Sequence, residues 1–292
     1  MSPGVGDGRK QRFECVPALG DSKQNEVCGD GKMSAGDRVC YLWQNLWRNL
    51  ATLGRGPAAR SFAPDMARAR AEMSGQSPSR LITNVFIDTE LPNLMPPRQL
   101  DVLEVGCGAG AMASRLAVLG YSGSYTGVDI QDYFKRERGA DFPFTIDFHR
   151  ADAHTFTPQR PIDLMISVST LEHIPSDAKL IARFPGFFKP GGVEVHILPA
   201  GASLLPYLWH GYRQYTPAKL AGRFGPDIEL VRIGGLGSLL LHTLVITAPE
   251  MFLRRSPRRA WPGVYEKMMW LALRLDRVLP VCPTAYAVIR KH

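Results

Sequence analysis

Leu100-Asp101-Val102-Leu103-Glu104-Val105-Gly106-Cys107-Gly108-Ala109-Gly110 runs from an apolar segment straight into three glycines. A helical pattern follows at once, with Met112, Leu116 and Leu119 apolar and Ala and Ser between them. That order predicts a buried strand, a tight turn and a helix whose free N–H groups face the turn. Such a junction is suited to hold a ligand. Gly106-Cys107-Gly108-Ala109-Gly110-Ala111 also satisfies the loose dinucleotide pattern G-x-G-x-x-A, so the turn alone leaves several nucleotides open. A P-loop is excluded, because no Gly-Lys-Ser/Thr follows.

Outward from this turn, strands and helices alternate. The expected elements are a strand over 101–106, its helix over 110–119, and strands over 125–130, 145–150 and 162–168. The last is an unbroken apolar run, as a strand covered on both faces requires. A helix over 177–184 follows, then Lys189-Pro190-Gly191-Gly192 as a sharp turn into a strand over 193–198. Thr216-Pro217 starts a further helix, with Thr as N-cap and Pro at the first position. Strand-like runs at 228–233 and 239–247 are expected to close the domain.

Three carboxylates narrow the ligand. Glu104 sits at the mouth of the first strand, where it repels a pyrophosphate and suits a cationic amino group. Asp129 ends the second strand, where a carboxylate can accept both ribose hydroxyls. Asp152, before Ala153, follows the third and can accept from an adenine amino group. A ligand with an ammonium, a ribose and an adenine, but no phosphate, fits this set.

These residues resemble the motifs of class I S-adenosylmethionine-dependent methyltransferases, in the small-molecule branch called type 11 or type 12. Glu104-Val105-Gly106-Cys107-Gly108-Ala109-Gly110 matches the first motif, Gly127-Val128-Asp129 the second and Ala151-Asp152-Ala153 the third. Asp163–Ser167 with Leu171-Glu172-His173-Ile174 matches the fourth, and Lys189–Gly192 the turn before strand five. The resemblance covers about 98–250. It implies an α/β, Rossmann-like, doubly wound sheet of seven strands with an antiparallel last strand. It also implies S-adenosyl-L-methionine as cofactor, held by Glu104, Gly106, Cys107, Gly108, Gly110, Asp129, Ile130, Asp152, Ala153, Val168 and Ser169. His173, just past strand four, and His210 are the candidate bases for an acceptor hydroxyl. Glu172, Tyr212, Arg213 and Tyr215 are the candidate acceptor contacts. Val168 stands where many relatives carry Asn, and no Asn-Pro-Pro-Tyr occurs, which argues against amino-methylating DNA and glutamine enzymes.

The implied activity is methyl transfer, at oxygen, to a small-molecule, glycan or lipid-linked acceptor. The alternatives are a scaffold that keeps the cofactor pocket without the chemistry and, after it, an NAD(P)-dependent oxidoreductase. No Gly-x-Ser-x-Gly elbow is present, and the seven histidines and five cysteines show no metal-site or disulfide spacing. No bound metal is expected.

Flanking the domain, residues 1–37 lack hydrophobic period and read as disordered, with Met33 an alternative start that intact mass would settle. Residues 38–97 read as a helical cap, with Val39, Trp43, Leu46, Trp47 and Leu50 along one core-facing stripe, two further helices at 64–73 and 78–88, and a proline-rich linker at 91–97. Residues 251–292 carry nine Lys/Arg against two Asp/Glu, which accounts for +7 of the net +8. This C-terminal helical tail reads as docked on the core, with peripheral membrane contact through 254–279 as the alternative. Nucleic acid is not expected. Without a secretory signal or an apolar run of spanning length, the chain reads as cytoplasmic, with the inner membrane surface as the place any such contact is made.

Overall fold

A computed structural model describes residues 28–73, 75–134, 139 and 141–292. Its strands are β1 (Ala59–Ser61), β2 (Gln99–Val105), β3 (Ser122–Asp129), β4 (Phe144–Arg150), β5 (Ile162–Val168), β6 (Phe188–Pro199), β7 (Glu229–Ile233) and β8 (Ala285–Lys291). They form one sheet in the order β1-β7-β8-β6-β5-β2-β3-β4. All neighbours are parallel except β8, which runs antiparallel to both β6 and β7. Six of the seven expected strands are present, β8 stands in for the seventh, and β1 joins the edge as an eighth.

The helices are α1 (Ala35–Leu50), α2 (Met66–Ala71), α3 (Pro78–Leu94), α4 (Ala111–Val118), α5 (Asp177–Ile181), α6 (Pro217–Phe224), α7 (Leu236–Leu241), α8 (Ala248–Phe252), α9 (Pro257–Ala260) and α10 (Pro262–Val278). Alternate strand residues feed two cores. Val102, Leu164, Ile166 and Val195 pack on one face with Leu81, Phe86, Leu116, Met269 and Leu273. Leu103, Val105, Met165 and Val128 pack on the other with Leu180, Ile181, Leu220 and Phe224.

The antiparallel strand is not where the sequence put it. Residues 239–247 belong to α7 and a π-helical turn, His242–Thr247, and the strand is β8. A short apolar run has no period that separates a buried helix from a buried strand. Long-range contacts settle it. Asp276 accepts from the backbone N–H of Ser238, 3.0 Å away, and from its hydroxyl, which caps the start of α7. Gly237 lies against the α10 backbone, where an added Cβ would be 2.2 Å from the Ala272 carbonyl oxygen. The tail is thus part of the fold: α10 buries Tyr265, Met269, Ala272 and Leu273, and β8 lies inside the sheet. A domain ending at 250 is not closed.

Three other expectations change. Helix α3 continues through Pro92 to Leu94 instead of stopping at a linker. Proline removes the N–H that would bond the Asp88 carbonyl, and Arg68 Nη1 donates to that oxygen instead, at 2.8 Å. Strand β6 begins at Phe188, so the Lys189–Gly192 turn lies within it, with Gly191 at φ +80°. Helix α1 forms at the expected period but with its faces exchanged. Trp43 and Trp47 are 66% and 65% exposed, while Tyr41, Asn45 and Asn49 face inward. The surface it meets is a loop that offers backbone groups: the Tyr41 hydroxyl donates to His210 O at 2.6 Å, and Asn49 Nδ2 donates to Gly201 O at 3.4 Å.

Of the segment read as disordered, residues 1–27 lie outside the described residues. Cys28–Ser34 is placed against the core, with the Gly29 N–H donating to Gly211 O at 2.7 Å. Cys28 is disulfide-bonded, against the expectation of free thiols, whereas Cys40, Cys107 and Cys282 are free.

Candidate active site

The carboxyl ends of β2, β3, β4 and β5 meet at the glycine turn. Gly106, Gly108 and Gly110 have φ of +75°, +50° and +75°, a region closed to most side chains. Gly106 is also pressed on the loop after β5: a Cβ there would stand 2.2 Å from the Thr170 side chain. Gly108 is different, with nothing within 4 Å of an added Cβ. The backbone there borders open space.

Asp129, at the end of β3, is tied to this turn. Its Oδ2 accepts the Gly108 N–H and its Oδ1 the Gln131 N–H, each at 2.9 Å. Every carboxylate oxygen has a second acceptor site, so two hydroxyls can still be held. Glu104 lies in from it, 5% exposed, with the Tyr125 hydroxyl donating to one oxygen. Burial pushes its pKa well up, and the nearby Asp129 charge adds to this. A cation at Glu104 relieves both. Burial, with the Glu104 and Asp129 charges, pushes the Cys107 thiol up, which makes it a packing residue and not a nucleophile. It fills the space against Gly127, where a Cβ would be 2.8 Å from its sulfur.

Asp152 is exposed and builds its own turn, accepting the His154 N–H at 2.8 Å on Oδ1 and the Thr155 and Phe156 N–H groups on its carbonyl. Arg183 fixes the loop by donating to Ala153 O at 3.1 Å and Phe156 O at 3.0 Å. Ser169, just past Val168, is held at φ +49°, a left-handed conformation costly for a non-glycine residue. Ile130 is exposed beside Asp129.

A second cluster opens after β5. The turn Leu171–His173 carries Glu172 and His173, and the loop after β6 brings His210 against them, ring centroids 4.5 Å apart. Asp30 reaches the Nδ1 edge of both rings. Its Oδ2 is 2.7 Å from His173 Nδ1, its Oδ1 3.4 Å from His210 Nδ1, and the Gly211 N–H donates to Oδ2 at 2.9 Å. Burial alone would raise the Asp30 pKa, but the hydrogen bonds and charges of His173 and His210 hold it well below the usual carboxylate range. His173 is raised: burial works against it, and the Asp30 hydrogen bond with the Glu172 and Asp30 charges wins. Burial raises Glu172 in spite of both imidazoles.

Comparison with known proteins bears on the segment that carries the first cluster. Residues 102–192 match the family model described as a methyltransferase domain. The chain is 31% identical over 96 residues to a ubiquinone biosynthesis O-methyltransferase of Hydrogenovibrio crunogenus, which is 31% of this chain and 39% of that protein. It is 32% identical over 97 residues to a trans-aconitate 2-methyltransferase of Methylobacterium radiotolerans, or 33% and 37% of the two lengths. The matches thus span under half the length of either relative. The stretch matched, residues 102–192, is methyltransferase domain of the class I S-adenosylmethionine-dependent kind. A solved S-adenosylmethionine-dependent methyltransferase from Archaeoglobus fulgidus overlays 73% of this chain and 95% of its own at TM-score 0.46 and 18% identity.

S-adenosylmethionine is the cofactor of this domain class, and the residues present fit it. The methyltransferase domain offers a buried acid for an ammonium at Glu104, a paired carboxylate for ribose at Asp129, and open backbone at Gly108. The structure brings Glu104, Gly106, Cys107, Gly108, Gly110, Asp129 and Ile130 to one rim of the sheet, with Val168 and Ser169 at the end of β5, which neighbours β2. Asp152 and Ala153 sit one loop away.

The expected acceptor contacts are mostly committed elsewhere. Arg213 is buried, pairs with Asp177 at 3.0 Å and donates to Ile174 O. The Tyr215 hydroxyl is buried and donates to Asp177 Oδ2 at 2.8 Å. The Tyr212 N–H holds the Glu172 carbonyl, and Glu172 is fully buried. These four shape the loop from within. His173 and His210 are the polar groups that keep an exposed edge. Asp30, Thr170 and Tyr125 are not anticipated by the sequence; only Tyr125 carries a signal, since it pairs with Val102 and so shares a face of the strand pair with Glu104.

Proposed function

We propose that this protein transfers a methyl group from S-adenosylmethionine to a hydroxyl of its acceptor. The observation that carries the reading is the Glu104–Asp129 pair at an open glycine turn: two carboxyl groups disfavour a pyrophosphate and suit an ammonium and a ribose. The cofactor supplies an electrophilic methyl group when bound. The chain has then to orient the acceptor, exclude water and take up the hydroxyl proton. His173 and His210 are the groups placed for that proton.

Calorimetry with S-adenosylhomocysteine and with NAD(P) tests the cofactor, and transfer of labelled methyl to acceptor extracts tests the chemistry. S-adenosylhomocysteine is expected to bind and NAD(P) not; the reverse overturns the proposal, and binding without transfer makes the chain a scaffold. His173→Ala and His210→Ala should each lower turnover at least about tenfold with cofactor affinity unchanged.

We further propose that the acceptor is met at an anionic membrane surface, the inner face of a cell membrane. The support is a band of exposed apolar side chains flanked by arginines. It includes Val39, Trp43, Leu46, Trp47 and Leu50 on α1 and Met251, Phe252, Leu253, Trp261, Val264 and Leu271 further along. Leu205 is exposed between them: α1 touches the Gly201–Leu204 turn, and Pro206 O accepts from the Thr247 hydroxyl at 2.6 Å. Exposed patches of this kind mark interaction sites, and tryptophans at the edge suit the headgroup level. Among the described residues no helix is long and apolar enough to cross a membrane, so the contact lies on the surface.

Arg254, Arg255 and Arg259 are exposed beside Phe252 and Trp261. At about 1 kcal/mol per arginine near an anionic surface, they favour phosphatidylglycerol vesicles over neutral ones by roughly two orders of magnitude. Co-sedimentation of the whole chain should show that preference, and Trp43→Glu with Trp47→Glu should remove most of the binding while S-adenosylhomocysteine affinity stays. Negligible pelleting of the wild-type chain with either vesicle sinks the idea.

A further inference from the structure

The cluster of Asp30, His173 and His210 holds more than a proton-handling pair. One oxygen or ring nitrogen from each residue lies within 4.8 Å of the others. The rings stand nearly perpendicular but present the same edges to the same two carboxyl groups. Each turns Nδ1 toward Asp30, at 2.7 and 3.4 Å, and Nε2 toward Glu172 Oε1, at 3.8 and 3.9 Å. Glu172 is 0% exposed, and neither of its carboxylate oxygens has a hydrogen-bond partner among the described residues.

A fully buried, unpartnered carboxylate is costly. Without an ion the cluster relieves it only by holding an extra proton, because a neutral imidazole has one N–H and stands between two carboxyl groups. If Nδ1–H donates to Asp30, a bare Nε2 lone pair faces Glu172. We propose that Asp30, His173 and His210 bind a divalent transition-metal ion, with Glu172 as the outer carboxylate that orients both rings. The Nδ1 lone pairs and an Asp30 oxygen then point at the ion, and Nε2–H on each ring points at Glu172. That is the carboxylate–histidine–metal arrangement that fixes ligand tautomers in metal sites. The two carboxylates balance the charge of the ion.

The donor set chooses the class of ion. Two imidazole nitrogens and one carboxylate suit zinc and its first-row neighbours, whereas magnesium and calcium take oxygen ligands. Three protein ligands leave at least one position open, and His210, 30% exposed on its side chain, gives the route in. With an ion seated there, the two histidines are ligands, and an acceptor oxygen meets the ion instead of a free imidazole. The sequence could not show this site, because positions 30, 173 and 210 have no spacing motif and converge only in the fold.

The test does not use methyl transfer, so its outcome is independent of the function proposed above. The full-length chain, stripped by dialysis against chelator, is incubated with zinc or with magnesium, passed over a desalting column and analysed for metal. About one zinc per chain and almost no magnesium are expected. Asp30→Ala and His210→Ala should each retain at least about tenfold less zinc at the same free concentration. Circular dichroism and S-adenosylhomocysteine binding establish that the variants are folded. Cobalt(II) supplies a readout on the wild-type chain alone: visible d–d bands of a nitrogen- and oxygen-ligated site are expected, and zinc should abolish them. A wild-type chain that retains no zinc after desalting, or folded variants that retain as much as wild type, overturns the assignment.

Discussion

Asp129→Ala is expected to weaken S-adenosylhomocysteine binding by roughly two orders of magnitude while leaving the fold intact. The carboxylate has two tasks. It holds the Gly108 and Gln131 N–H groups at 2.9 Å, and so keeps the glycine turn open, and it presents its remaining lone pairs to the ribose hydroxyls. Hydrogen bonds to a charged group contribute about 1.5 kcal/mol or more each. Losing two to the ligand therefore costs about 3 kcal/mol, a factor of roughly 100. The site lies at the rim of the sheet and Asp129 is half-buried, so the melting temperature should fall only slightly. Asp129→Asn keeps one oxygen acceptor and should fall between wild type and Ala. Isothermal titration measures all three proteins. An Ala variant with unchanged affinity would remove Asp129 from the cofactor site and with it the main support for the cofactor's orientation.

The cofactor side was legible because its information is local. Strand β2, the glycines and α4 follow one another in the chain, and the register Glu104↔Gly127 carries Asp129 to the same rim as soon as β3 pairs with β2. The acceptor side was legible only in part. His173 and His210 were readable as polar residues beside strand ends, but Asp30 comes from a glycine-rich segment with no period, and its partners lie 143 positions and more away. Helix α1 shows a third kind of limit. Its period is intrinsic, yet the buried face is set by the partner. The segment from Gly201 into the first turn of α6 offers carbonyl oxygens and an ammonium, so the Tyr41, Asn45 and Asn49 face goes in, with Lys219 Nζ donating to Asn49 Oδ1 at 2.7 Å. A stripe of tryptophans then remains outside, contrary to what an amphipathic pattern alone implies. The same reasoning explains the misplaced antiparallel strand. Both 239–247 and 285–291 are apolar runs, and only the capping contact of Asp276 and the close approach at Gly237 separate them.

A chain ending at Glu250 is expected not to fold. Strand β8 is bonded on one side to β6 through seven residue pairs, from Val193↔Lys291 to Pro199↔Ala285, and on the other to β7 through five. Its removal leaves two unpaired inner edges and takes β7 and β1 off the sheet, because β8 is what joins them to β6. The side chains of Tyr286, Val288 and Ile289 are buried, at about 1.5–3 kcal/mol each. The truncation also strips α10, whose Met269 and Leu273 are fully buried, at a similar cost per side chain. Together these losses exceed about 7 kcal/mol, which is comparable to the whole stability of an ordinary domain, about 5–15 kcal/mol. The exposed β6 edge then invites association. The 1–250 chain should therefore be recovered as aggregate, without a cooperative melting transition. Val288→Asp in the full chain makes the same point with one residue, since it buries an unpaired charge in an inner strand. A soluble 1–250 chain with a cooperative transition and bound S-adenosylhomocysteine would show that residues 98–250 close on themselves by some other strand. It would also make residues 251–292 an appendage to the sheet instead of part of it.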